Sequence, residues 1–197
     1  MLWGLDLPGA APAAPPRLPV EVGEVVQDAP GPLITAMGPD GRLASGRFTR
    51  GCRCFAARSA GELVAYAWVS TGGEWIGEIA APIRPAAREA YVWNCVTLAR
   101  YRRLGLYTAL VGTVAAALGR EGTRRLWLAT VSEPPYAGDG VRRTGFRPVL
   151  RVTSVRLAAW RVAWAVPEPA AGADLIAGAC AALGRRLLVG RHAAILH

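Results

Sequence analysis

One stretch constrains what this 197-residue chain can fold into more than any other: residues 90–121, AYVWNCVTLARYRRLGLYTALVGTVAAALGRE. Residues 91–98 are aromatic and β-branched, the composition of a strand. Arg102, Arg103 and Gly105 then make a basic turn. Leu106, Leu110, Val111, Val114 and Leu118 recur at helical spacing, and Gly122 supplies a stop. Residues 125–131 follow as a short apolar run, so the unit reads as a strand–helix–strand crossover with parallel strands. The crossover sets the first N–H groups of the helix, and the positive end of its dipole, beside two arginines. Such a site suits a pyrophosphate.

The rest of the chain is read around this unit. Residues 1–31 are rich in Pro, Ala and Gly and read as a flexible lead-in with little regular structure. Residues 32–166 make the main domain. In it, residues 32–38 are apolar without a clear type, and 42–49 give two helical turns ending at Gly51. Residues 52–58 and 62–71 alternate around Ser59-Ala60-Gly61 and predict a hairpin. Residues 75–81 are read as a third strand. Ser132 before Pro134 opens a helix that Gly138 and Gly140 weaken. Residues 146–157 and 160–166 are read as strands. After a linker at 167–172, residues 173–183 form a helix stopped by Gly184, within a C-terminal helical extension, 167–197. The expected class is α/β (α+β), a mixed central sheet with helices on both faces.

Composition removes several chemistries. All 23 Lys-or-Arg positions are arginine. Without lysine there is no Schiff base, no pyridoxal-phosphate attachment and no Walker-type loop. His192 and His197 both lie in the last six residues, which argues against a Ser-His-Asp, Cys-His or His-rich zinc site in the core. Cys52, Cys54, Cys95 and Cys180 read as free thiols, and no metal is expected. Two readings of the +9 net charge stand: a surface on which arginine replaces lysine, or a basic face for an acidic partner. No apolar run reaches the ~20 residues of a membrane span. The N-terminus lacks a signal peptide's basic region, and the cytoplasm is the expected compartment.

The order strand, Arg102-x-x-Gly105-x-Tyr107, helix, strand, weak helix, Gly145-Phe146 resembles the GNAT superfamily of acyl-CoA N-acyltransferases. The resemblance covers roughly residues 50–157. The family's phosphate loop is Gln/Arg-x-x-Gly-x-Gly/Ala. Arg102 and Gly105 match it, and Tyr107 departs from it. The resemblance implies that Arg102, Arg103, Leu104, Gly105, Leu106, Tyr107 and Thr108 hold the pyrophosphate of acetyl-CoA or another acyl-CoA. It also implies that main-chain groups of Val96, Thr97 and Leu98 pair with the pantetheine arm as an added strand does.

By the same resemblance the reaction needs a base for the amine and an acid for the departing thiolate. The family's usual tyrosine position is Val141 here, and its usual asparagine is Pro134. Tyr136 stands nearest as a substitute acid. Glu78 and Glu89 are the candidate bases, with Glu78 expected on a strand face with Ile76 and Ala80. Asn94 is expected on the face of Val92 and Val96. Trp68, Trp75, Trp93 and Tyr91 are read either as acceptor-pocket aromatics or as core. The implied activity is transfer of an acetyl or other short acyl group from coenzyme A to a small-molecule amine. The alternatives are a carrier-protein acyl donor, with an acidic carrier as partner, or another natural-product step on the same fold. A further alternative is a non-catalytic acyl-CoA-binding domain. Nucleic acid is disfavoured, and a homodimer through the elements after Leu157 is a further expectation.

Overall fold

In the computed structural model, which describes residues 1–9, 15–79, 81–131, 137–157 and 160–184, the crossover forms as expected. It runs from β7 (Glu89–Thr97) through α3 (Leu106–Arg120) to β8 (Arg125–Ala129). β7 and β8 pair in parallel from Glu89↔Arg125 to Val92↔Leu128. Gly122 takes φ 90° just past the helix, the left-handed stop its position predicts.

The chain before the crossover supplies β1 (Leu2–Asp6), β2 (Glu21–Glu24), α1 (Gly31–Met37), α2 (Ala44–Thr49), β3 (Arg53–Ser59) and β4 (Glu62–Ser70). It then adds β5 (Glu74–Ile76) and β6 (Ala81–Ile83). After β8 come α4 (Ala137–Arg143), β9 (Arg147–Leu157), β10 (Trp160–Pro167) and α5 (Ala173–Leu183). Among the described residues these strands form a mixed eight-stranded sheet in the order β10-β9-β1-β8-β7-β4-β3-β2, and β5 and β6 pair separately.

Alternation along the strands sorts side chains between the two faces. Phe55 and Ala57 of β3, with Leu126 and Leu128 of β8, pack under Leu110, Val111, Val114 and Leu118 of α3. On the other face Cys54 and Ala56 meet Leu33, Met37 and Phe48 of α1 and α2. Farther along that face, Trp127 meets Leu175 and Ala179 of α5. No helix among the described residues is long and apolar enough to cross a membrane.

Two expectations are corrected. The lead-in is not structureless: β1 lies inside the sheet, antiparallel to both β8 and β9, with Leu2, Trp3 and Leu5 buried. β2 adds the far edge strand. The single strand expected at 75–81 is instead a hairpin of two short strands, because the chain reverses between Ile76 and Ala81. The helix expected at 173–183 forms as α5. α5 roofs β1 and β9, and its Leu175 lies so close to Gly4 that a Cβ there would approach to 2.9 Å. Residues 185–197 lie outside the described residues.

Candidate functional site

The site begins where β7 leaves β8. Their pairing ends at Val92↔Leu128, yet β7 continues to Thr97. From Trp93 on, the backbone on that side has no strand partner among the described residues. On its other side β7 stays paired with β4, but the register shifts between Tyr66↔Val96 and Trp68↔Trp93. Two residues of β7 there face one of β4, which is a β-bulge. Asn94 takes φ 45° within it. The extra residue resets the alternation and turns Asn94 to the α2 side, where it accepts a hydrogen bond from Arg47. The expectation that Asn94 shares a face with Val92 is therefore corrected: Val92 packs toward α3.

The phosphate loop follows. Arg103 and Gly105 are both left-handed, with φ 65° and 80°. α3 starts at Gly105 with no side-chain cap and no acidic residue in its first turn. Its first N–H groups therefore lack partners within the helix, and the positive end of a 15-residue helix is left for an external anion. A Cβ on Gly105 would sit 3.3 Å from the Pro16 backbone, so the loop is also closed from outside. Arg17 N–H donates to Leu104 O at 2.9 Å and ties the N-terminal segment to this loop. The Arg102 guanidinium folds back to donate to Thr97 O at 3.3 Å, linking the loop to the end of the free strand.

A cavity of about 560 Å³ runs from Cys95, Val96 and Thr97 past Arg102, Arg103 and Gly105 to Gly140 and Arg143 of α4. A second, of about 390 Å³, continues on the far side of the loop between Arg17, Arg103 and Arg143. Tyr107, where the family pattern has a small residue, lines the first cavity. Its ring lies 3.3 Å from where a Gly140 Cβ would be, so glycine in α4 makes room for it. Burial pushes the Tyr107 hydroxyl well above the ordinary tyrosine value, so it keeps its proton at neutral pH. Arg17 and Arg143 join the site without a sequence motif. Nothing in their local pattern marks them, and only the fold brings them to the loop. Among the described residues no group of His, Cys, Asp or Glu is arranged to hold a metal ion.

The remaining candidates separate. Glu78 lies exposed in the turn after β5, off the expected strand face. It is close enough that its charge helps raise the pKa of Tyr91 and Cys95, behind the larger effect of burial. Glu89 lies at the other end of β7, about 16 Å of strand from Asn94 at ~3.3 Å per residue. It is 2% exposed and accepts a 2.8 Å hydrogen bond from Trp127 Nε1, with Arg124 and Arg125 at 3.6 and 3.8 Å. That setting explains its burial and removes it from the cleft, which corrects its candidacy as base. Glu89→Ala is expected to lower unfolding stability by about 1–3 kcal/mol in urea titration, because it leaves the buried Trp127 indole N–H without its acceptor. Glu89→Gln, which keeps an acceptor, should lose less. Loss of activity without loss of stability would return Glu89 to the reaction.

Tyr136 lies outside the described residues. Val141 is buried under α3. Trp68 and Trp93 stand 6.2 Å apart on the face opposite α3, Tyr91 is buried toward α5, and Trp75 is exposed on the β5–β6 hairpin.

Against known proteins, the family model described as "Acetyltransferase (GNAT) family" matches residues 26–137, more than half of the chain. This chain belongs to the GNAT acetyltransferase family, and its mixed sheet flanked by helices is that family's fold. No curated protein matches the sequence. Among solved structures it is similar to an aminoglycoside acetyltransferase from an uncultured soil metagenomic sample, in complex with sisomicin. Identity is 13%, the match covers 64% of this chain and 86% of that one, and the TM-score is 0.50. It is also similar to a glucosamine N-acetyltransferase region of a fungal multi-domain GH3 β-N-acetylglucosaminidase, at 12% identity. That match covers 74% of this chain and 19% of that one, with a TM-score of 0.53. A third is a transcriptional regulator from Bacillus halodurans C-125, at 15% identity over 70% of this chain and 99% of that one, with a TM-score of 0.51. At these identities the likeness is one of fold.

Proposed function

We propose that this chain is an N-acyltransferase that moves an acetyl or other short acyl group from coenzyme A to an amine of a small molecule. The observation that carries this reading is the continuity of three features. A strand edge freed from Trp93 to Thr97 runs into an uncapped helix N-terminus, and one cavity joins them. A free edge pairs with an extended amide-bearing arm. The helix end, Arg102 and Arg103 neutralise phosphates. The second cavity, with Arg17 and Arg143, offers charge to the rest of the nucleotide. Acyl-CoA, when bound, supplies the activated thioester.

The chain's own groups supply position and protons. Glu78 is the candidate base that takes the proton from the attacking amine. Tyr107 is the protonated hydroxyl lining the cavity beside Cys95, and with Tyr136 it is the candidate donor to the departing sulfur. Glu78→Gln is expected to lower kcat/KM by about 10²-fold, the low end of general-base effects, with the acetyl-CoA Kd unchanged. An unaltered kcat/KM would remove Glu78 from the mechanism.

Calorimetric titration with acetyl-CoA tests the donor. Absence of binding at millimolar concentration by folded protein would end the acyl-CoA reading. A second reading, an acyl-CoA-binding domain without turnover, is favoured by one observation: the family's tyrosine position holds Val141, which is 1% exposed in the core. Thiol release measured over an amine library separates the two.

A further inference from the structure

Two arginines are buried among the described residues, and they are held in opposite ways. Arg125, 5% exposed, is clamped by Asp6 at 2.6 Å and Asp174 at 2.5 Å. Arg47 on α2, 7% exposed, has no carboxylate in ion-pair contact among the described residues. Its side-chain hydrogen bond goes to a neutral group: Nη1 donates to Asn94 Oδ1 at 2.7 Å. Its guanidinium carbon lies 4.5 Å from the Trp93 ring centroid and 5.0 Å from that of Trp68. Asp40, Tyr66, Cys52 and Cys54 are the other titratable groups near enough to act on it. The indole N–H groups of Trp68 and Trp93 also lack acceptors among the described residues.

Two aromatic faces and one neutral acceptor do not offset the cost of taking a cation out of water. Burying an ion costs several times what a neutral hydrogen bond returns. No other hydrogen bond of the Arg47 guanidinium is found among the described residues, and a guanidinium fork matches a planar anion.

The place of this cation gives it a use. Asn94, its partner, sits in the bulge where β7 parts from β8. Trp93 belongs to the cluster under α1 and α2 and also to the one under α5, so it lies at the seam between them. That seam is on the sheet face opposite α3, level with the start of the free edge.

We infer that Arg47, with Trp68, Trp93 and Asn94, forms an acceptor subsite that binds a carboxylate, and that the amine substrate is therefore an amino-acid-like compound. The site offers one planar monocation and no helix end, which matches a carboxylate better than a phosphate dianion. An α-amino carboxylate carries its amine one carbon from the bound group, so an acid held on Arg47 sets its amine beside Asn94 in the bulge at the strand break. The amine's role rests on the acyltransfer reading, whereas carboxylate binding does not.

The test uses the full chain, with common L-amino acids, their α-carboxamides and O-phosphoethanolamine as probes. Binding is read by tryptophan fluorescence, since Trp68 and Trp93 line the site, and by thermal shift, with and without acetyl-CoA. At least one acid is expected to bind tenfold or more tighter than its amide, and Arg47→Met should abolish that preference. If Arg47→Met does not fold, Asn94→Asp serves instead. It gives the cation an internal carboxylate, so it should raise Tm and weaken acid binding at least tenfold. Equal binding of acids and amides, preference for the phosphorylated amine, or acid binding untouched by either variant overturns the inference. Acid preference without acetyl-CoA binding would bring down the transferase reading and leave this subsite standing. Acetyl-CoA turnover with no acid preference would do the reverse.

Discussion

Gly105→Val is expected to weaken acetyl-CoA binding by 10²-fold or more in a calorimetric titration. Valine at φ 80° is strained by about 1–3 kcal/mol, and its Cβ would press on Pro16 at 3.3 Å. Both effects move the loop that presents the N-terminal N–H groups of α3. Losing two charge-assisted hydrogen bonds at about 1.5–3 kcal/mol each accounts for the expected drop. The Pro16 contact matters because Arg17 is bonded to Leu104, so displacing one segment displaces the other. Gly105→Ala, with a smaller side chain at the same φ, should fall between. Wild-type affinity in the valine variant, with the fold intact by circular dichroism, would show that this loop does not face the phosphates.

The second large effect concerns stability. Deleting residues 1–7 is expected to abolish cooperative thermal unfolding. β1 pairs with β8 over five positions, Leu2↔Ala129 to Asp6↔Arg125, and with β9 from its other edge. Its loss leaves two unpaired edges in mid-sheet. Burial of Leu2, Trp3 and Leu5 contributes roughly 1.5–3 kcal/mol each, against a typical total of about 5–15 kcal/mol. Asp6, which holds Arg125 at 2.6 Å, would go as well. Trp3→Ala is the milder version. It removes the Nε1 hydrogen bond to Thr130 Oγ1 at 2.9 Å and the stacking of Arg142 on the ring, and should cost about 3–5 kcal/mol. Retention of the wild-type Tm after deletion would mean that β8 and β9 can close on each other without β1.

The elements legible in the sequence share a physical reason: their signals are local. The helix of α3 shows in the recurrence of Leu106, Leu110, Val114 and Leu118, and its end in Gly122. The β3–β4 hairpin shows in alternating side chains around a turn whose Ala60 and Gly61 take φ 48° and 82°. α5 lies at 173–183, between Gly172 and Gly184, where its composition placed it.

β1 is not legible in the sequence for the complementary reason. Five residues, LWGLD, carry too short a pattern, and the prolines and alanines after them dominate the local composition. Their partners on β8 lie roughly 120 residues away, and no window contains both. Glu78 leaves the strand face that alternation predicts because the chain turns at Gly77. For Glu89, sequence shows a glutamate beside a strand but not which end of the strand opens.

The sequence by itself determined the strand–helix–strand unit, the glycine that lets backbone approach phosphate, and the chemistries excluded by having no lysine. Each follows from residue type and spacing within a few turns of chain. Only the tertiary structure decided that β7 parts from β8 after Val92, that the bulge turns Asn94 toward α2, and that Arg47 is buried with no carboxylate in ion-pair contact among the described residues while Arg125 has three. Burial and pairing are sums over neighbours distant in the chain, and a cation's need for an anion becomes visible only when all of those neighbours are in place.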